Sequence, residues 1–182
     1  PYGSQGSFAL LGNHEMYSSG RSYFTQLLPY MGNYVPSHDK DQQASFFCLE
    51  NDCWRIIGLD TGYYSLKGWL GIKGNNKLDL HDTQKEWLRN TVRLSDDNRG
   101  LIFLSHHQCF SAFEDEFPKP AEFIASLLPA HKNVIWLWGH EHWFSVYGAN
   151  KLANGATMYA RCVGNSGMPV ELNKKKEAKQ PR

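Results

Sequence analysis

"NVIWLWGHEH", residues 133–142, runs five apolar residues together after Asn133 and then breaks into a glycine, a histidine, a glutamate and a second histidine. A run this short and this apolar, rich in aromatic and β-branched residues, reads as a buried strand of the kind that fills the middle of a parallel sheet. The abrupt change at Gly139 puts side chains that bind metals or handle protons at the carboxyl end of that strand.

The same pattern occurs twice more. "FALLGNHEMY", residues 8–17, passes from an apolar run into Gly12-Asn13-His14-Glu15, and "GLIFLSHH", residues 100–107, stops at His106-His107. Strands are therefore expected at about 8–11, 101–104 and 134–138. Helical spacing of apolar residues appears between them. "GRSYFTQLLPYMG", residues 20–32, reads as a short helix closed by Pro29 and Gly32. "HDTQKEWLRNTVRLS", residues 81–95, carries the stripe Trp87, Leu88, Thr91 and Leu94, with Asp82 or Thr83 as cap. Residues 119–130 read as a third helix. "SFFCLEN" and "CWRIIGLD" flank an Asn51-Asp52 turn and read as a hairpin, as do "WFSVYG" and "TMYARC" near the end, while residues 61–79 read as a long surface loop.

Helices alternating with short apolar strands imply an α/β layered fold, in which ligands usually sit beyond the carboxyl ends of the strands. Histidines distant in sequence can then converge in one crevice.

Composition narrows the possibilities. With 182 residues and 41% hydrophobic content the chain can bury one core of ordinary size, so a single domain is expected. The 19 basic and 18 acidic residues nearly cancel, so no broad field points to nucleic acid or an anionic membrane as partner. The lysine cluster 174–176 is read as part of a basic tail, residues 173–182. No apolar stretch approaches the roughly 20 residues of a membrane-spanning helix, and cytoplasmic residence is the default expectation. Cys48, Cys53, Cys109 and Cys162 show no C-x-x-C spacing and are read as reduced core thiols.

His140 and His142 are two residues apart. In an extended segment that places them on one side, about 6.6 Å apart along the backbone, with Glu141 turned away. Two imidazoles so placed can serve one ion or two neighbouring ions about 3.5–4 Å apart. Glu15 and Glu141 are read as surface charges without a metal role, and Asp60 and Asp79 as structural.

"GNHE" at 12–15, "SHH" at 105–107 and "GHEH" at 139–142, in this order and each after an apolar run, resemble the last three motifs of the calcineurin-like metallophosphoesterases. The resemblance covers about residues 8–165. It implies an α/β fold, a layered β-sandwich flanked by helices, and metal-dependent hydrolysis of phosphomonoesters or phosphodiesters by a metal-activated hydroxide. It implies two divalent transition metal ions, Mn, Fe, Zn or Co. Asn13, His106 and His140 would ligate one ion and His142 the other. His14 would face the phosphate as the catalytic charge stabiliser or acid, and His107 would orient ligands or touch substrate. Gln108 stands where many members have proline.

That family opens with two aspartate-bearing motifs before the asparagine-histidine motif, and the eleven residues before Gly12 contain neither aspartate nor histidine. The expectation is therefore a fold truncated on its N-terminal side: residues 1–172 as the C-terminal part of one metallophosphoesterase domain, completed by an N-terminal segment or chain. Two alternatives stay open at this level. One is a non-catalytic binding or regulatory module of the same fold, and the other a mononuclear zinc protein; metal stoichiometry separates them. The loops 61–79 and 108–118 are the expected walls of a substrate pocket, with Glu114, Asp115 and Glu116 opposing highly anionic substrates if they face it.

Overall fold

The computed structural model describes residues 5–35, 38–65 and 78–165. Nine strands are found among them: β1 (Gly6–Ser7), β2 (Gly32–Val35), β3 (His38–Asp41), β4 (Phe47–Glu50), β5 (Trp54–Leu59), β6 (Gly100–Ser105), β7 (Asn133–Trp138), β8 (Phe144–Lys151) and β9 (Thr157–Val163). Three α-helices accompany them: α1 (Asn13–Met16), α2 (Asp82–Trp87), continued by a wider helical turn over Leu88–Val92, and α3 (Lys119–Leu127). The architecture is mixed α/β. Its centre is a six-stranded sheet in the order β4-β5-β6-β7-β9-β8, flanked by helices, and β1, β2 and β3 form a small antiparallel sheet.

The inner strands β5, β6, β7 and β9 are parallel, with antiparallel β4 and β8 at the edges. Parallel neighbours need long crossovers, and α2 and α3 supply helices to the β5–β6 and β6–β7 connections. Register sets where the strands deliver their ends. Leu59 pairs with Ser105, Ser105 with Trp138, and Trp138 with Cys162, so the strands end level with one another. The residues just after them, Asp60-Thr61, His106-His107 and Gly139-His140, therefore emerge side by side at one edge.

One face of the sheet carries the main core. Leu101, Phe103, Val134, Trp136, Trp138, Met158 and Ala160 are buried there with Leu88, Val92, Ala121 and Ile124 from the helices. Alternate residues on β6 and β7, including Ile102, Leu104, Ile135 and Leu137, are only half-buried, so these strands are not covered equally on both sides.

Several expected elements are found where the pattern placed them, and four features differ. Both hairpins form; in the first, the Asn51 side chain accepts from the N–H groups of Cys53 and Trp54 at 2.9 and 2.8 Å and closes the turn. Residues 20–32 hold helical turns at Tyr23–Leu27 and Leu28–Tyr30 rather than a regular α-helix. The cap of α2 is neither Asp82 nor Thr83 but His81, whose Nδ1 accepts from the Gln84 N–H. The expected strand at 8–11 is absent: strand pairing ends at Ser7, and Ala9 exchanges both backbone hydrogen bonds with the Gln42 side-chain amide, at 2.9 Å each, while Tyr23 donates to the same carbonyl. A primary amide has both a donor and an acceptor, so Gln42 substitutes for one residue of a partner strand. Cys109 and Cys162 are buried and Cys48 half-buried, whereas Cys53 is exposed. The 61–79 loop from residue 66 to residue 77 and the tail 173–182 lie outside the described residues.

Candidate metal centre

Three backbone devices bring the site together. His106 follows β6 and its carbonyl accepts both the Gly139 and the His140 N–H, at 3.1 and 2.8 Å, so the turn after β7 is bonded directly to the residue after β6. On the other side, Asp60 is buried and its carboxylate accepts from the N–H groups of Gly62 and Tyr63, at 2.9 Å each, and from the Ser45 hydroxyl. The turn it holds runs against the 8–12 segment so closely that a Cβ on Gly62 would lie 2.4 Å from the Leu11 carbonyl oxygen. That contact sets Gly12 and Asn13 beside the ends of β5 and β6. Glu15 then accepts the Gly12 N–H at 2.9 Å, capping the short helix α1.

His106 Nε2 lies 2.8 Å from Asn13 Oδ1 and 3.0 Å from His140 Nδ1. Asn13, His106 and His140 are thus brought together from three separate parts of the chain. Such separations suit shared ligation, because bonds of about 2.1 Å at right angles put neighbouring ligand atoms about 3 Å apart. The donor chemistry fits as well. A single ring nitrogen offers either one N–H or one lone pair, and here it faces two neighbours, one of them an oxygen that only accepts. A cation in the midst of the three atoms would satisfy all of them.

The imidazoles are held neutral, as ligation requires. Burial, reinforced by the imidazoles of His140, His14 and His142, pushes the His106 pKa down to about 4. His140 is also lowered, by burial first, with the Glu114 carboxylate pulling the other way.

His107 is buried, and its ring nitrogen lies within 4.8 Å of those of His106 and His140, so it belongs to the same cluster. The Thr61 hydroxyl accepts the His107 backbone N–H at 3.0 Å and lies 3.2 Å from His107 Nδ1. Thr61 is itself buried, so this hydroxyl engages both the backbone N–H and the Nδ1 of His107 away from solvent. The ring packs 4.4 Å from that of His140 and 5.2 Å from Phe117, centroid to centroid. Burial and the neighbouring His106 and His140 keep it uncharged.

His14 and His142 are both exposed, and both act on the cluster through charge, lowering the proton affinity of His106 and His140. His14 packs 5.0 Å from the Tyr17 ring, and the Tyr17 hydroxyl accepts from Asn13 Nδ2 at 3.3 Å, which leaves Asn13 Oδ1 turned toward His106.

Residues 139–143 are not extended. The Trp143 N–H donates to the Glu141 carbonyl at 2.7 Å, so this is a tight turn that buries Glu141 while His142 stays exposed. Glu141 is thereby corrected from a surface charge to a core residue. Ser111 and the Trp138 indole both donate to its carboxylate, the latter at 3.1 Å. Gly164 backs the turn: a Cβ there would fall 1.9 Å from the Glu141 carbonyl oxygen, so no other residue fits. The loop 108–118, expected as a wall of a substrate pocket, is buried from Gln108 to Ala112. Gln108 is 1% exposed and donates to the Asp115 carbonyl at 2.7 Å, closing the loop on itself. Glu114 is half-buried near His140, and Asp115 is exposed.

The family model for calcineurin-like phosphoesterases matches residues 2–144. The chain belongs to that family, and all three histidine-bearing motifs fall within the match. No curated protein and no solved structure matches it. Among the described residues, no helix is long and apolar enough to cross a membrane.

Proposed function

We propose that this chain carries metal-binding machinery of a metal-dependent phosphoesterase, with Asn13 Oδ1, His106 Nε2 and His140 Nδ1 holding one divalent ion. The observation that carries the reading is their convergence within 3.0 Å of His106 Nε2 at the carboxyl ends of β6 and β7. His142 would serve the neighbouring ion of a pair. Amide oxygen and neutral imidazole suit Mn, Fe, Zn or Co.

A bound ion pair supplies positive charge to the phosphoryl oxygens and an acidified water. The protein's own groups do the rest. Tyr17 fixes the Asn13 amide, Thr61 fixes His107, and the ring of His107 supports that of His140. His14, exposed beside Asn13, would steady the phosphate charge or protonate the departing oxygen. The substrate is a phosphate ester, a monoester or a diester.

The test compares two histidines. His140→Ala should release metal. His14→Ala should keep metal and lower turnover of nitrophenyl phosphate esters by roughly 10²–10⁴. Retention of metal by the His140 variant, or its loss from the His14 variant, would overturn the assignment.

A further inference from the structure

Between the two histidines of the 139–143 turn stands a carboxylate with no place in the hydrolytic scheme. Glu141 is 1% exposed, and both of its carboxylate oxygens are engaged: Oε1 by the Ser111 hydroxyl and Oε2 by the Trp138 indole N–H at 3.1 Å. The direction of the Ser111 bond is settled by counting. Ser111 Oγ already accepts from the N–H groups of Phe113 and Glu114, at 2.8 and 2.9 Å, so both lone pairs are taken and its only proton goes to Glu141. The indole can only donate. Two obligate donors thus face the two oxygens of one carboxyl group.

The consequence reaches the site, because Ser111 lies in the loop that packs against it. Phe113 stacks on Trp143 at 6.0 Å, and Phe117 stands 5.2 Å from His107 and 6.3 Å from His140. The loop therefore rests on the histidine turn at three points, and the Glu141–Ser111 bond is the buried polar one among them. We propose that Glu141 is a positioning residue that latches the loop 108–118 to the turn carrying His140 and His142, so that the metal-ligand geometry and the cover over it are set together. This rests on the reading of His140 as a metal ligand.

Glu141→Gln is the sharpest perturbation, because an amide must present its NH2 either to the Ser111 proton or to the indole N–H. Ser111→Ala removes the other end of the latch. Two readouts on the 182-residue chain separate the outcomes. The first, taken without metal, is amide hydrogen exchange: each substitution should speed exchange in both 111–117 and 139–143. Acceleration confined to the segment that bears the substitution would overturn the latch. The second is titration with Co(II), read by its visible absorption spectrum. Both variants should bind about 10–100-fold more weakly than wild type, with an altered spectrum, as found when groups that orient metal ligands are lost. A purely structural role would lower the melting temperature and leave affinity and spectrum unchanged, which would also overturn the proposal. If the wild-type chain takes up no Co(II) while exchange in the two segments stays coupled, the metal reading falls and the latch stands.

Discussion

Gly12 gives the most exacting test of the site's tolerances. Its φ of −102° is open to any residue, so replacement by alanine adds no backbone strain and tests space alone. The new Cβ would lie 2.9 Å from His106 Cε1, 3.0 Å from His106 Nδ1 and 2.8 Å from Glu15 Oε2. The Glu15 side chain is exposed and can swing away, whereas His106 is hemmed in by His107, His140 and Asn13. Ordinary carbon contacts need about 3.5–4.0 Å, so the imidazole must retreat by about 0.5 Å or more. Metal ligands hold their distances to about 0.2 Å, so such a shift takes Nε2 out of the position it shares with Asn13 and His140. Overpacking should cost about 1–3 kcal/mol of stability. Metal affinity should fall about tenfold or more, by the 10–100-fold scale seen when ligand orientation is lost. Chelator competition for zinc, run beside thermal unfolding, measures both. Gly148→Ala is the control, because a Cβ there meets nothing within 4 Å. Wild-type zinc affinity in Gly12→Ala would refute the proposition that His106 is packed into a ligating position.

Thr61→Val removes the hydroxyl that pairs with His107, leaving a buried N–H and ring nitrogen without that partner, and should cost about 1–3 kcal/mol in urea unfolding; an unchanged midpoint would show that the pair carries no weight. Acid should weaken the metal-free fold in a particular window. The unfolded His106 takes up its proton near 6.5 and the folded one only near 4, so between these values the unfolded chain binds more protons and stability falls as pH falls. His106 alone accounts for up to about 3 kcal/mol, and His106→Gln should flatten that part of the profile; parallel profiles for variant and wild type would contradict it. Gly164→Ala should disrupt the 139–143 turn, since its Cβ would overlap the carbonyl oxygens of both Glu141 and Gly139; a folded variant with unchanged metal affinity would contradict the close packing.

The range of the interactions involved decides how much of the fold and the site was legible in the sequence. His106 and His140 could be read because each terminates an apolar run, and parallel strands in register deliver their carboxyl ends to one edge. The residues 8–11 look like a strand for the same reason, yet the backbone of Ala9 is satisfied by Gln42, thirty-three positions away. Periodicity cannot register a side chain that takes the place of a strand. Glu141 posed the same difficulty. Its neighbours are histidines, which suggests a polar turn, while the serine that draws it inward lies thirty positions earlier. The cap of α2 was missed on chemistry rather than distance: preference favours Asp or Thr, but a neutral imidazole nitrogen accepts an N–H equally well. The Thr61 partner of His107 lies forty-six positions earlier, and only the arrangement of strand ends brings those two together.

The central claim is that Asn13, His106 and His140 share one divalent ion, and anomalous diffraction from crystals of the chain grown with manganese or zinc tests it most directly. The account predicts an anomalous peak about 2.0–2.2 Å from Asn13 Oδ1, His106 Nε2 and His140 Nδ1 together. A peak held by His107 in place of Asn13, or no peak among these residues at saturating metal, would contradict it.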